Sequence, residues 1–474
     1  MPIFSRLPPE TLLHILRDAF LREIVNFGQT SRRLYRLVKN ERIVWRNATD
    51  TEYLPLPTGH TIQTVPVELL FPIALRACSI AIAFRQPIII PKRYAPIAPL
   101  SIGDDEMPYN VEIPGGRWTM YSTESGIRFD DSSKTPLEND TIISDGRLFR
   151  NAMGTMGEGV VRCIQPISTD WDPPCSIAPG SGHAIDIYFP IGNIGDSKTE
   201  QTPKIHSPPI PIPEINVTGV SDMMGPLILS VGAKTFDFLH LCDIDARTGF
   251  VLNFTGHNKR WFQIINAQFQ PARRKVVLDV FLPGIIDAYD FAVWVFDIPE
   301  MPPSDAANAS TALEFHWIHK TIHIQPVSQY IQPLEWNVDS SEPSEFPDTH
   351  VCVHDFIIQC PQFPGSLAMI VVCLTADDRL QAVCLGLFDR PTQFGPFKGR
   401  VIGATCVADN HLRIVCTDPA KKRLFQKTFE IPGGADLKGE SMITRVDLVH
   451  GQVSLLRRKG RAFLDIVPCF VIQY

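Results

Sequence analysis

His240-Leu241-Cys242-Asp243-Ile244-Asp245-Ala246-Arg247-Thr248-Gly249 decides how most of this chain is read. It is a β-prone run that reaches an Asp, crosses a polar turn and starts a second run. That second run leads to Phe254-Thr255-Gly256-His257 and then to Phe269-Gln270-Pro271. The same plan stands earlier, in Val111-Glu112-Ile113-Pro114-Gly115-Gly116-Arg117-Trp118 followed by Ser125-Gly126-Ile127-Arg128-Phe129-Asp130. Each stretch reads as strand, turn and strand, the unit from which antiparallel sheets are built.

Outward from these stretches the texture is constant. Short β-rich runs at 117–121, 127–130, 183–189, 227–231 and 275–281 alternate with Gly, Pro and Asn/Asp turns. Many of the 41 prolines fall in this region, where helix interiors would not tolerate them. Residues 87–474 are therefore expected to form an all-β domain. A sandwich needs only about a hundred residues, and nearly 390 are at hand. A β-propeller of four-stranded blades, roughly 40–50 residues each, takes up such a length without one enormous core. Six or seven blades fit. The stretch from His240 resembles a degenerate WD-type repeat, with Cys242 where a Trp is usual. The run 462–472 is expected to be a terminal strand closing the ring. Segments 196–213, 300–312 and 335–349 mix Pro, Ser and charge and read as long loops.

The amino-terminal residues differ in kind. Pro8 and Pro9 suit a helix start, and Leu12, Ile15, Leu16, Ala19 and Phe20 follow helical spacing, which predicts a helix over 8–20. Ile24, Val25 and Phe27 carry an apolar stripe to Gly28. Thr30 or Ser31 can cap the next helix, which would bury Leu34, Leu37 and Val38 before the series closes at Trp45. A connector rich in Pro and Thr, Leu54-Pro55-Leu56-Pro57-Thr58-Gly59, precedes another helical pattern over about 65–84. Its apolar positions are Leu69, Leu70, Ile73, Leu75 and Ala77. The expected division is 1–50, 51–86 and 87–474. Three helices with so small a core call for a partner surface.

The order Leu7-Pro8-Pro9-Glu10, Ile15-Leu16, Ile24, Ser31-Arg32-Arg33-Leu34 and Trp45 resembles an F-box. The whole chain looks similar to fungal F-box proteins that carry a propeller-like β domain. Departures from the family's pattern are Ala19, Phe20 and Thr30. The resemblance implies a three-helix F-box at 1–50, a helical linker at 51–86 and a substrate-recognition domain beyond. It also implies a Skp-type adaptor and a cullin scaffold as partners, with an unidentified client protein on the β domain. The residues it assigns to the F-box core and adaptor surface are Leu7, Pro8, Glu10, Leu12, Ile15, Leu16, Ile24, Leu34 and Trp45. Such a chain is a recognition subunit of an SCF-type ubiquitin ligase, without catalysis of its own. The alternatives are an interaction scaffold whose helical cap serves another partner, and a propeller-based enzyme.

Composition is consistent with that division of labour. Apolar residues make up 44% and charged residues 20% of the 474, ample for a core. The net charge of −7 carries no general footprint for nucleic acid or for an anionic membrane. Residues 1–50 run the other way, with nine Lys/Arg against five Asp/Glu. Eleven scattered cysteines, and no uncharged apolar run near the ~20 residues of a membrane span, suggest a reduced cytoplasmic or nuclear setting. No metal or cofactor is expected. His316, His319 and His323 have helical metal spacing in a β-prone context, where a strand would not keep all three on one face. Cys352, His354 and Cys360 lack a second Cys pair. Gly154-x-x-Gly157-x-Gly159 lacks the Gly-Lys-Ser/Thr ending of a phosphate loop, and no Gly-x-Ser-x-Gly elbow occurs.

Overall fold

The computed structural model describes residues 7–96 without interruption and, between 109 and 473, the strands with their adjoining turns. The amino-terminal part is helical: α1 (Pro9–Ile15), α2 (Leu21–Gln29), α3 (Arg32–Asn40), α4 (Arg42–Arg46) and α5 (Val67–Ala83). The helix expected over 8–20 stops at Ile15, because Asp18 takes φ +62° and Phe20 turns extended. The run closing at Trp45 is broken by extended Glu41 into α3 and α4. In α5 the buried face is Leu70, Phe71, Ile73, Ala74, Ala77 and Ile80, while Leu75, expected inside, is 41% exposed.

The described strands form seven sheets. In chain order their main runs span 109–142, 153–212, 220–254, 263–297, 350–389, 393–430 and 441–473, with Ile318–Ile324 added to the third, Val327–Ile331 to the fourth, Ile88–Ile89 to the sixth and Arg93–Pro96 to the seventh. Their strand runs match the alternation read from sequence, with Leu227–Val231 and Lys275–Pro283 among them. Lys204–Ile205 and Ile210–Ile212 pair with Gly182–Tyr188, so the segment read as a loop over 196–213 supplies two short strands. Buried Ile212 explains the second of them. Of the other expected loops, 302–312 and 335–349 lie outside the described residues.

Each sheet packs on the next. Cys163 faces the first sheet's Trp118, Met120 and Phe129, whereas its neighbour Ile164 packs with Ile228 and Cys242 of the third. Val276 and Leu278 join the core shared with the third sheet, and Val277 joins Ile370 and Val372 of the fifth. Strands with both faces buried alternate between two neighbours, which is what stacked blades require. Polar ties reinforce the series. Arg162 forks onto Asp186 at 2.6 and 2.9 Å and reaches Asp245 of the third sheet at 2.7 Å. Lys275 bridges its own Asp297 and the fifth sheet's Asp378 at 2.8 and 3.3 Å.

The series also turns back on itself. Arg93–Pro96, which precedes the first sheet, pairs antiparallel with Ile466–Gln473 of the seventh. The carbonyl of Leu56 meets His450 of the seventh sheet, and the carbonyl of Gly59 meets Gly159 of the second. Three residues of chain reach at most about 11 Å. The His450 turn of the last sheet and the Gly159 turn of the second therefore both lie near this short segment, so the series of sheets bends back on itself.

Candidate functional site

The candidate site is the helical module, built from the inside out. Trp45 is completely buried, its indole Nε1 donates to the Val38 carbonyl at 3.0 Å, and its ring meets Phe71 of α5 edge-on at 6.1 Å. Leu16, Leu21, Ile24, Val25 and Val38 surround it, together with Leu70, Phe71 and Ala74. Thus α5, expected as a linker, shares one core with α2, α3 and α4. Gly28 permits this, since a Cβ there would stand 2.9 Å from the Phe71 ring.

Local polar bonds hold the helix ends. Ser31 caps α3 by accepting from the Leu34 N–H at 3.3 Å. The Phe20 N–H donates to Glu23 Oε2 at 3.0 Å. Asp50 accepts from the Leu21 N–H at 2.7 Å, capping α2 from 29 residues away. Burial raises the Asp50 carboxyl from its ordinary range, and the Leu21 bond partly offsets this. Sequence reading missed Asp50, because no local spacing signals so distant a cap. Thr49 fixes the turn after α1, its Oγ1 donating to the Asp18 carbonyl at 2.6 Å.

The residues singled out from the sequence divide by burial. Leu12, Leu16, Ile24, Leu34 and Trp45 are buried, between 0% and 5% exposed. Pro8, Glu10 and Ile15 are exposed and Leu7 is half-buried. Arg33 donates to the Leu7 carbonyl at 2.6 Å, which ties the start of α1 to α3. Ile15 at 48%, Phe20 at 53% and Tyr35 at 38% are large apolar groups left in solvent. Phe20 was read as part of a helix stripe and is instead an exposed cap position. Arg32, Arg33 and Arg36 are exposed on α3. The module thus combines a closed core with exposed apolar and cationic groups, an arrangement suited to docking.

Other candidates fall elsewhere. His319 and His323 lie on Ile318–Ile324, which runs parallel to Thr248–Phe254, and His316 lies outside the described residues. Cys352 and His354 flank a bulge in His350–Gln359, and Cys360 lies outside the described residues. Among the described residues no three His, Cys, Asp or Glu side chains gather as metal ligands would. The Gly154/Gly157/Gly159 series is a hairpin turn between Met153–Gly157 and Val160–Pro166, with φ of +104° at Gly157 and +86° at Gly159. Its function is contact: a Cβ on Gly157 would stand 2.9 Å from Thr64, and one on Gly159 3.0 Å from His60. The five cysteines whose side chains are described, Cys78, Cys163, Cys242, Cys373 and Cys416, are unpaired. Burial pushes the Cys242 thiol up to about 12. Among the described residues no helix is long and apolar enough to cross a membrane.

A family model described as F-box-like matches residues 4–50. No curated protein matches the chain. Among solved structures it is similar to Hsv2 of Kluyvelomyces marxianus, at 9% identity and a TM-score of 0.26, over 66% of this chain and 80% of that one. It is similar also to the WD40 domain of SCAP from fission yeast, at 8% identity and 0.19, over 81% and 73%. A Trypanosoma rangeli sialidase aligns at 10% identity and 0.27, over 81% of this chain and 55% of that one. At such scores the architecture rests on the strand pairing of this chain itself.

Proposed function

We propose that this chain is a substrate-recognition subunit of an SCF-type ubiquitin ligase, in which the helical module docks a Skp-type adaptor and the β domain holds the client protein. The observation that carries the reading is the F-box-like match over residues 4–50, which coincides with a module whose core is closed while Ile15 and Phe20 stand in solvent. Covering a large apolar side chain contributes ~1.5–3 kcal/mol, so those two groups give an adaptor groove something to hold. The exposed arginines of α3 suit an acidic partner.

In this reading the chain performs no bond chemistry. It converts an encounter between client and ligase into a reaction within one assembly, by raising the effective concentration of one near the other. Cullin and catalytic subunits would join through the adaptor. The unpaired cysteines are compatible with a reducing, cytoplasmic or nuclear setting.

Affinity purification of the full chain followed by mass spectrometry tests this. Adaptor and cullin should be recovered together, and both should be lost when Leu7 and Pro8 are changed to Ala in a protein that remains folded. Recovery of neither from the unaltered chain would leave the helical module as a cap for a different partner.

A further inference from the structure

Among the described residues the fifth sheet holds three strands, in the order His350–Gln359, Ser366–Thr375, Leu380–Asp389, where the other six sheets hold four or five. Leu380–Asp389 is one of its end strands, and the outer strands of both neighbours, Val327–Ile331 of the fourth sheet and Arg423–Glu430 of the sixth, approach it. An end strand presents a row of main-chain N–H and C=O groups that can pair with a further strand. Elsewhere this chain extends its sheets in that way, with strands from distant segments. Ile318–Ile324 joins the third sheet, Ile88–Ile89 the sixth and Arg93–Pro96 the seventh.

The surface beside that edge is apolar. Val295 of the fourth sheet shares a core with Ile370 and Val372 of the fifth, and Val295 is the register partner of Val327. Register partners point to one face, so Val327 also faces the fifth sheet. It is nevertheless 43% exposed. Leu380 and Ala382, register partners of buried Leu374 and Val372, pack against the same core yet are only half-buried. A further strand beside Leu380–Asp389 would bond to the edge through its main chain and set alternate side chains against Val327, as strand addition does when it binds a peptide.

The edge is also set back. The fourth sheet reaches one strand further out, and the sixth carries Ile88–Ile89 outside Arg423–Glu430. Strands lie about 4.8 Å apart, so the slot is about one strand wide. Ile88 and Ile90, 48% and 67% exposed, add apolar surface at the sixth sheet's end. A single extended chain fits such a slot. The same edge of a second copy does not, because the longer neighbouring sheets would meet first. We propose that Leu380–Asp389 is a docking edge for an extended, proline-free segment of a partner protein, apolar at alternate residues, which adds to the fifth sheet as a fourth strand. Under the recognition-subunit reading that segment belongs to the client; this assignment rests on that reading, and the edge does not.

A display library of random peptides ten residues long, the length of the edge strand, panned on the full-length chain supplies the probe. Selected peptides should be poor in proline and alternate in hydropathy. They should slow exchange of alternate amides within 380–389 by about tenfold or more. Val327→Glu, a change at an exposed position on the neighbouring sheet, should weaken their binding by about tenfold or more while exchange elsewhere stays as in wild type. Selection of no peptide overturns the proposal, as does selection of peptides that protect other segments or bind Val327→Glu as tightly as wild type. Slow exchange at every amide of 380–389 in the free monomer overturns it too, since the chain itself would then fill the edge. Slow exchange that appears only on self-association assigns the edge to a second copy and equally overturns it. Adaptor recovery is read separately. An adaptor lost with peptide binding intact defeats the ligase reading and leaves the edge standing, and the converse defeats the edge alone.

Discussion

The main-chain N–H of Gly159 donates to the carbonyl of Gly59 at 3.1 Å, and the two glycines meet without side chains between them. Gly59 takes φ +75°, and any Cβ there would run into the Gly159 main chain. Gly159 in turn accepts from the Phe189 N–H at 2.7 Å, so the contact continues into the second sheet. One glycine pair thus joins the helical module to the β domain.

Gly59→Ala should therefore destabilise the chain by about 1–3 kcal/mol, from left-handed strain and the blocked approach together. Chemical denaturation, with limited proteolysis of the 54–64 segment, checks this. Stability equal to wild type would mean that the contact is dispensable.

Ile15 and Leu16 are neighbours with opposite roles. Ile15→Asp should leave stability within about 0.5 kcal/mol of wild type, because the side chain is 48% exposed. It should weaken adaptor binding tenfold or more, about 1.4 kcal/mol. Leu16→Ala should instead cost about 2–5 kcal/mol of stability, since the side chain is 4% exposed within the shared core. Titration against a purified Skp-type adaptor separates the two outcomes.

Trp45→Ala should cost about 3–5 kcal/mol and leave the Val38 carbonyl without its donor. Because Trp45 also packs on Phe71 of α5, exchange protection along α5 should fall with it. A loss confined to residues before Thr51 would mean that α5 is held by other contacts.

His60 should make the joint sensitive to acid. Burial pushes its imidazole below the ordinary value, more than the Glu158 carboxylate lifts it. The folded chain therefore favours the neutral ring. The stability this contributes is fully present above the ordinary histidine range, near pH 6.5, and is lost as pH falls through the lowered folded value. His60→Phe should reduce the drop in melting temperature between about pH 7 and about pH 5. An unchanged drop would assign the acid sensitivity to other groups.

How much of this was legible depends on the range of each interaction. Leu227–Val231 and the alternation around Lys275 could be read because a strand's burial pattern is written in adjacent residues. The end of α1 could not, because Ile15, Ala19 and Phe20 keep helical spacing while Asp18 breaks the backbone between them. The Asp50 cap and the union of α5 with the F-box-like core depend on groups brought together only by folding. So does the parallel pairing of Ile318–Ile324 with Thr248–Phe254, across more than sixty residues. Within the helical module the ordered anchors were visible, but their division into buried Leu12 and exposed Ile15 needed the packed helices.

The pairing of Arg93–Pro96 with Ile466–Gln473 bears on synthesis as well as on shape. At roughly 5–20 residues per second, the ribosome takes roughly 20–75 s to traverse the interval between those strands. Throughout that time Arg93–Pro96 lacks its partner, although the helical module has already left the ribosome. A nascent chain can thus present a finished helical module before the sheet that holds Arg93–Pro96 is complete. The pairing of Arg93–Pro96 cannot form until the residues through Gln473 have been made.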